Sequence, residues 1–125
     1  MSDAQASAAH TSVIEGYLGS IDEGRAAVMR PYFERARELV EGLEEGRSYA
    51  MPALKYRGKA LITLQATKSG YSAYPFSGVA VSTVKAAHPE LETTTGSVHF
   101  TAHRPLPMAV FDELVLARRD QIDGR

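Results

Sequence analysis

The stretch SYAMPALKYRGKALITLQATKSGYSAYPF, residues 48–76, decides the fold, and it contains four tyrosines, three lysines, one arginine and no acidic residue. Within it, Lys55, Arg57 and Lys59 alternate with Leu54 and Tyr56, and a period of two places the three cations on one face of a strand. Gly58 permits a turn or bulge into ALITLQAT, residues 60–67, whose β-branched and apolar content reads as a central strand. KSG supplies turn residues, and YSAYPF closes a hairpin that ends at Pro75 because proline cannot donate to the ladder.

Helices are expected on both sides of this block. Thr11 or Ser12 caps a short helix over residues 13–21, with Glu15 completing a capping box and the stop near Gly19 and Ser20. A long helix follows over residues 22–46, opening with Asp22 and Glu23 near its positive end and closing on Gly46. Pro31 predicts a kink or a fresh helix start. Val28, Tyr32, Ala36, Leu39, Val40 and Leu43 share one arc of that helix, and Glu34, Glu38, Glu41 and Glu45 the opposite one. Surface helices commonly carry glutamates without a ligand. Here, however, they form like-charge i,i+4 pairs that cost a few tenths of a kcal/mol each, a cost that a weak cation site would offset.

Beyond residue 76, SGVAVSTVKAAH reads as a helix starting at Ser77 or Gly78, with Pro89 just past its end. GSVHFTAH is a strand with Val98 and Phe100 on one face and His99, Thr101 and His103 on the other. RPLP is an extended connector, and a final helix over residues 107–122 buries Val110, Phe111, Leu114, Val115 and Ala117. The order ααββ(β)αβα predicts an α+β fold: a small, mostly antiparallel sheet of four to five strands with helices packed on one face.

At 125 residues, 44% hydrophobic and 23% charged, the chain is expected to form one domain, residues 12–125, behind a flexible N-terminus, residues 1–11. Cysteine is absent, which closes off disulfides, thiolate metal sites and cysteine nucleophiles. With neither a leader-like start nor an apolar run of membrane length, a cytoplasmic location without a membrane partner is expected. Residues 48–88 hold five bases and no acid, a basic island, but the net charge of −1 and pI near 6.4 argue against nucleic acid as the partner.

Motifs for chemistry are few. His99 and His103 would sit about 13 Å apart on an extended strand, too far to share a metal ion, and His10 and His88 add nothing to them. Ser69 and Ser97 adjoin glycines without forming a nucleophile elbow, and no phosphate-binding glycine loop occurs, so nothing supports an enzyme. The best candidate site is the basic face of Lys55, Arg57 and Lys59, with Lys68 nearby and Tyr49, Tyr56, Tyr71 and Tyr74 interleaved. Cations and aromatics on a sheet hold anions by charge, hydrogen bonding and stacking; equally, tyrosines fill half-buried sheets and lysines guard edges.

SYAMPALKYRGKAL, YPF, GSVHF and RPLP together resemble the YdhG-like family of small bacterial domains of unknown function (domain of unknown function 1801), over roughly residues 12–122. The resemblance adds Met51 and Pro52 to the candidate site and singles out Gly58, Pro75, Gly96, Phe100, Pro105 and Pro107. It departs at Thr95, where the family usually has lysine, at Thr101, where proline is usual, and at Ser72, where glycine is common. It implies a frataxin-like α+β fold and an intracellular iron chaperone, binding Fe²⁺ weakly and passing it to iron–sulfur or haem assembly proteins as a monomer or homodimer. On that implication Glu34, Glu38, Glu41 and Glu45 are the metal donors, since exposed carboxylates release Fe²⁺ readily. The alternative is a non-metal binding module that uses its basic, tyrosine-rich face for an anionic ligand, nucleic acid or protein partner.

Overall fold

Short polar side chains start three of the four helices, each accepting amide hydrogens that the first turn leaves without partners. Ser12 Oγ accepts from the Glu15 amide at 3.2 Å, Asp22 from the Gly24 and Arg25 amides at 2.9 and 3.3 Å, and Ser77 Oγ from the Ala80 amide at 3.0 Å. In this computed structural model residues 12–125 are described, so the expected flexible segment 1–11, with His10 and the alternative cap Thr11, lies outside them. The helices are α1 (Val13–Gly19), α2 (Glu23–Leu39), α3 (Gly78–Ala87) and α4 (Met108–Asp123). The strands are β1 (Glu44–Ser48), β2 (Met51–Tyr56), β3 (Lys59–Ala66), β4 (Tyr71–Tyr74), β5 (Glu92–Thr93) and β6 (Val98–Phe100). They form one antiparallel sheet in the order β1-β2-β3-β4-β6-β5.

The α+β architecture is as the sequence predicts, with β1 and β5 as additional strands. α2 runs through Pro31 without a restart and stops at Leu39, seven residues short of the expected Gly46. Val40 is already extended at φ −131° and ψ 123°. Gly42, at φ +76°, takes the left-handed turn expected at Gly46. The glutamate-rich segment beyond it pairs with β2 over five residues, and this tertiary pairing overrides a local preference for helix. β6 is also shorter than expected, so His103 lies in an exposed loop and not on the strand with His99.

Two tight hairpins frame β2. Tyr56 faces Lys59 across Arg57 and Gly58, with φ of 54° and 80°. Ser48 faces Met51 across Tyr49 and Ala50, with φ of 52° and 65°. Positive φ at both central residues is the pattern of the type I′ turn that suits the twist of paired strands. The second turn has no glycine, and a left-handed conformation costs an L-residue roughly 1–2 kcal/mol. Replacing Ala50 with glycine is therefore expected to stabilise the fold by about 1 kcal/mol, since the relieved strain exceeds the added unfolded-state entropy. Thermal denaturation of Ala50→Gly checks this; a lowered melting temperature would mean that the turn stores no strain.

β3 lies at the centre. Leu61, Ile62, Thr63 and Leu64 are all fully buried, so both of its faces are covered. α2 and α4 pack on β3, α1 on β1 and β2, and α3 against α4. Tyr32 joins α2 to β6 and α4: its ring lies 5.2 Å from those of both Phe100 and Phe111, and its hydroxyl donates to the Leu106 carbonyl at 2.7 Å. Burial pushes the Tyr32 phenol pKa up. Arg35 grips Asp112 with two hydrogen bonds, at 2.9 and 2.7 Å, and so ties α2 to α4. Arg25 donates to the Thr67 and Gly70 carbonyls and lies over the Tyr71 ring, which pins the β3–β4 turn. A side chain at Gly70 would sit 2.5 Å from the Phe100 carbonyl oxygen, so only glycine lets β6 approach there. Among the described residues no helix is long and apolar enough to cross a membrane.

Candidate functional site

The starts of β2 and β3, the end of β4, the first turn of α3 and the last turns of α4 surround a cleft of about 610 Å³. That is within the roughly 300–1,000 Å³ usual for small-molecule sites. The β1–β2 turn brings Tyr49 and Met51 to it, the β2–β3 hairpin brings Lys59 and Ala60, and β4 brings Tyr74. Phe76 and Ser77 enter through the short β4–α3 connection, in which Phe76 also adopts a left-handed backbone at φ 57°. Gly78 completes that wall at the N-terminus of α3, which is packed against the Thr95 carbonyl so closely that a side chain at Gly78 would lie 3.2 Å from it. Thr95, where the resemblance expects a lysine, is thus next to Gly96 of the cleft lining.

Arg118 supplies the cleft's second cation. Its Nε donates to the Ala60 carbonyl at 2.9 Å, which fixes the guanidinium against β3. Its two terminal nitrogens make no hydrogen bond within the described residues, and they are not shut away from solvent. Burial lowers its pKa, which still leaves arginine a cation at neutral pH. Among the described residues neither Lys59 nor Arg118 has a carboxylate within ion-pair distance. Of the other cations, Arg30, Arg35, Arg37, Arg57, Arg119 and Arg125 do, whereas Arg25, Arg47, Lys55, Lys68, Lys85 and Arg104, like the cleft pair, do not, and what sets Lys59 and Arg118 apart is that they line one concavity. The cleft is therefore a concave surface with uncompensated positive charge, hydroxyl groups from Ser48, Ser77 and Tyr74, and an aromatic rim.

Four of the nine residues expected at a ligand site meet here: Tyr49, Met51, Lys59 and Tyr74. The other five serve the fold or lie apart. Pro52 is buried and its carbonyl accepts from the Thr63 hydroxyl. Lys55 lays its stem across Gly46, where a side chain would come within 2.9 Å of the lysine Cε. Tyr56 and Arg57 both reach Asp123 on α4, the phenol at 2.9 and 3.1 Å and the guanidinium at 3.0 Å. The hydrogen bond to that carboxylate, helped by desolvation, pushes the Tyr56 phenol up from its ordinary pKa. Lys68 is exposed in the β3–β4 turn. Because Arg57 occupies a turn, Lys55, Arg57 and Lys59 do not form the continuous basic face that alternation predicts.

The expected acidic ridge is also divided. Glu34 and Glu38 are exposed on α2, Glu38 lying 3.3 Å from Arg35, whereas Glu41 follows the helix and Glu45 belongs to β1. Glu45 is only 15% exposed, accepting from Arg37 at 2.6 Å and from the Ile14 amide at 3.1 Å. Among the described residues no three histidines or carboxylates stand close enough together to hold a metal ion.

The sequence reading missed Phe76 and Arg118. Arg118 had a signal: it lies four residues after Leu114 and three after Val115, a cation on the buried arc of its helix. Phe76 had none, because neither its backbone conformation nor its contact with Tyr49 is written in local pattern.

No family model matches the sequence, and no curated protein does. A crystal structure of YdhG from Bacillus subtilis, a protein of the DUF1801 family, is similar to this chain at a TM-score of 0.76 and 14% sequence identity, covering 91% of this chain and 92% of that one. At that identity the likeness establishes architecture, and in architecture the chain is a YdhG-like α+β domain.

Proposed function

We propose that the protein is a binding module for a small anionic ligand, held in the cleft between the β2–β3 sheet surface and the facing ends of α3 and α4. One observation carries the reading: Lys59 and Arg118 line a single concavity, and no carboxylate of the described residues neutralises either of them. Arginine fixed through Nε to a backbone carbonyl keeps its terminal nitrogens oriented for a two-pronged grip on phosphate or carboxylate. Lysine at the open rim adds charge without geometric demand.

Pyrophosphate is a suitable first probe. At low ionic strength it is expected to raise the melting temperature by several degrees once its concentration reaches about a hundred times its dissociation constant. The shift should shrink as salt is added, because partly exposed charges are screened. Lys59→Met, at an exposed position, and Arg118→Met, which keeps the apolar stem, should each remove most of the shift. Equal shifts in both variants and the native chain, or none at any salt concentration, would overturn the assignment.

A further inference from the structure

We propose that the anion taken by the cleft is the phosphate of a mononucleotide-like molecule, whose planar ring stacks on the Tyr49–Phe76 pair; this rests on the anion-binding reading above. Three observations bring a ring to that anion. First, the space accommodates more than a bare anion. The cleft, about 610 Å³ and open to solvent, has room for a ligand of small-molecule size beside the two cations. Second, the rings of Tyr49 and Phe76 lie nearly parallel, at 10°, with centroids 6.2 Å apart, and both belong to the cleft wall. Tyr49 is 86% exposed, so the pair presents aromatic surface to solvent where burial would ordinarily be favoured. Third, both residues hold left-handed backbone conformations, φ 52° and 57°, although they come from connections 27 positions apart in sequence. For a bulky aromatic residue that conformation is an outlier. Two such outliers meeting at one rim locate stored strain at the site, where it positions side chains for a partner.

The chemistry of the two parts is complementary. Arg118 and Lys59 take the phosphate at the sheet surface, and a base or similar ring, whose face is apolar and polarisable, lies against the aromatic pair. The hydroxyl groups of Ser48 and Ser77 sit on the same lining and suit a polar linker such as ribose.

Isothermal titration of the full chain with adenosine 5′-monophosphate, ribose 5-phosphate and adenosine separates the contributions. Adenosine 5′-monophosphate is expected to bind at least tenfold more tightly than ribose 5-phosphate, and adenosine to bind weakest. Tyr49→Leu, at an 86% exposed position and with folding checked by circular dichroism, should cost adenosine 5′-monophosphate about 5- to 150-fold, the worth of one stacked base, and leave ribose 5-phosphate unchanged. Phe76→Leu should act in the same direction. Equal affinity of the two phosphates, or loss of both on Tyr49→Leu, would overturn the stacking claim while leaving the anion site standing. Failure of adenosine 5′-monophosphate, ribose 5-phosphate and pyrophosphate alike would remove both.

Discussion

Phe111→Ala is expected to lower the folding free energy by about 3–5 kcal/mol, a large share of the roughly 5–15 kcal/mol available to a domain of this kind. Phe111 is fully buried, and its ring meets Tyr32 edge-on at 64° and 5.2 Å. Tyr32 in turn contacts Phe100 at 5.2 Å, and Phe100 stacks on Tyr71 at 5.4 Å, so a chain of four aromatic rings links α4 through α2 to β6 and β4. Removing one end leaves a cavity bounded by a tyrosine that cannot move to fill it, because its hydroxyl is held by the Leu106 carbonyl at 2.7 Å. Collapse is the usual way such a cost is reduced, and here it is blocked. Urea denaturation checks the value, with Phe111→Leu as the partner measurement, expected to cost clearly less because most of the volume remains. A loss under about 1.5 kcal/mol for the alanine variant would mean that this end of the core relaxes freely. Phe111 also anchors the helix that presents Arg118 two turns further on, so the same packing that stabilises the fold orients the cleft's guanidinium.

The readability of the chain followed the range of the forces involved. Caps at Ser12 and Ser77, the helix start at Asp22, the Gly58 turn and the Val110–Val115 arc of α4 are decided within a few residues, and the sequence pattern predicts each of them. β1 is different: EEGRS has the composition of a helix end, and only its ladder with β2 makes it a strand. The turn that permits this ladder, Tyr49–Ala50, carries none of the glycine or asparagine that marks such hairpins. Its backbone is held by pairing on either side and by the contact of Tyr49 with Phe76, both invisible to local pattern. The candidate site inherits the same division. Tyr49, Met51, Lys59 and Tyr74 come from the block that reads as sheet, but their convergence depends on Arg118 and Phe76, which are brought in from elsewhere in the chain. Without the hairpin the basic residues look like one face; with it, Lys59 turns toward the cleft and Arg57 toward Asp123.

Among the four glutamates predicted to share a helix ridge, only Glu45 should matter to stability. Glu45→Ala is expected to cost about 2–3 kcal/mol, against no more than about 0.5 kcal/mol for alanine at Glu34, Glu38 or Glu41. The Glu45 carboxylate is 15% exposed and joins three elements: it lies on β1, accepts the Ile14 amide of α1 and pairs with Arg37 of α2. Its loss strands the Ile14 amide at a helix start, where no backbone acceptor exists, and breaks a charge-assisted bond in a half-dry setting. Arg37→Ala should cost less than Glu45→Ala, since the arginine is 42% exposed and the carboxylate would keep its amide partner. At Glu38 the exposed bridge to Arg35 contributes little, because Arg35 retains its two bonds to Asp112. Chemical denaturation of the four alanine variants tests the division, and equal small losses at all four positions would mean that Glu45 is as free as its neighbours. A carboxylate committed to an amide and a guanidinium must break both contacts before it can ligate anything else, which sets Glu45 apart from the exposed Glu34, Glu38 and Glu41.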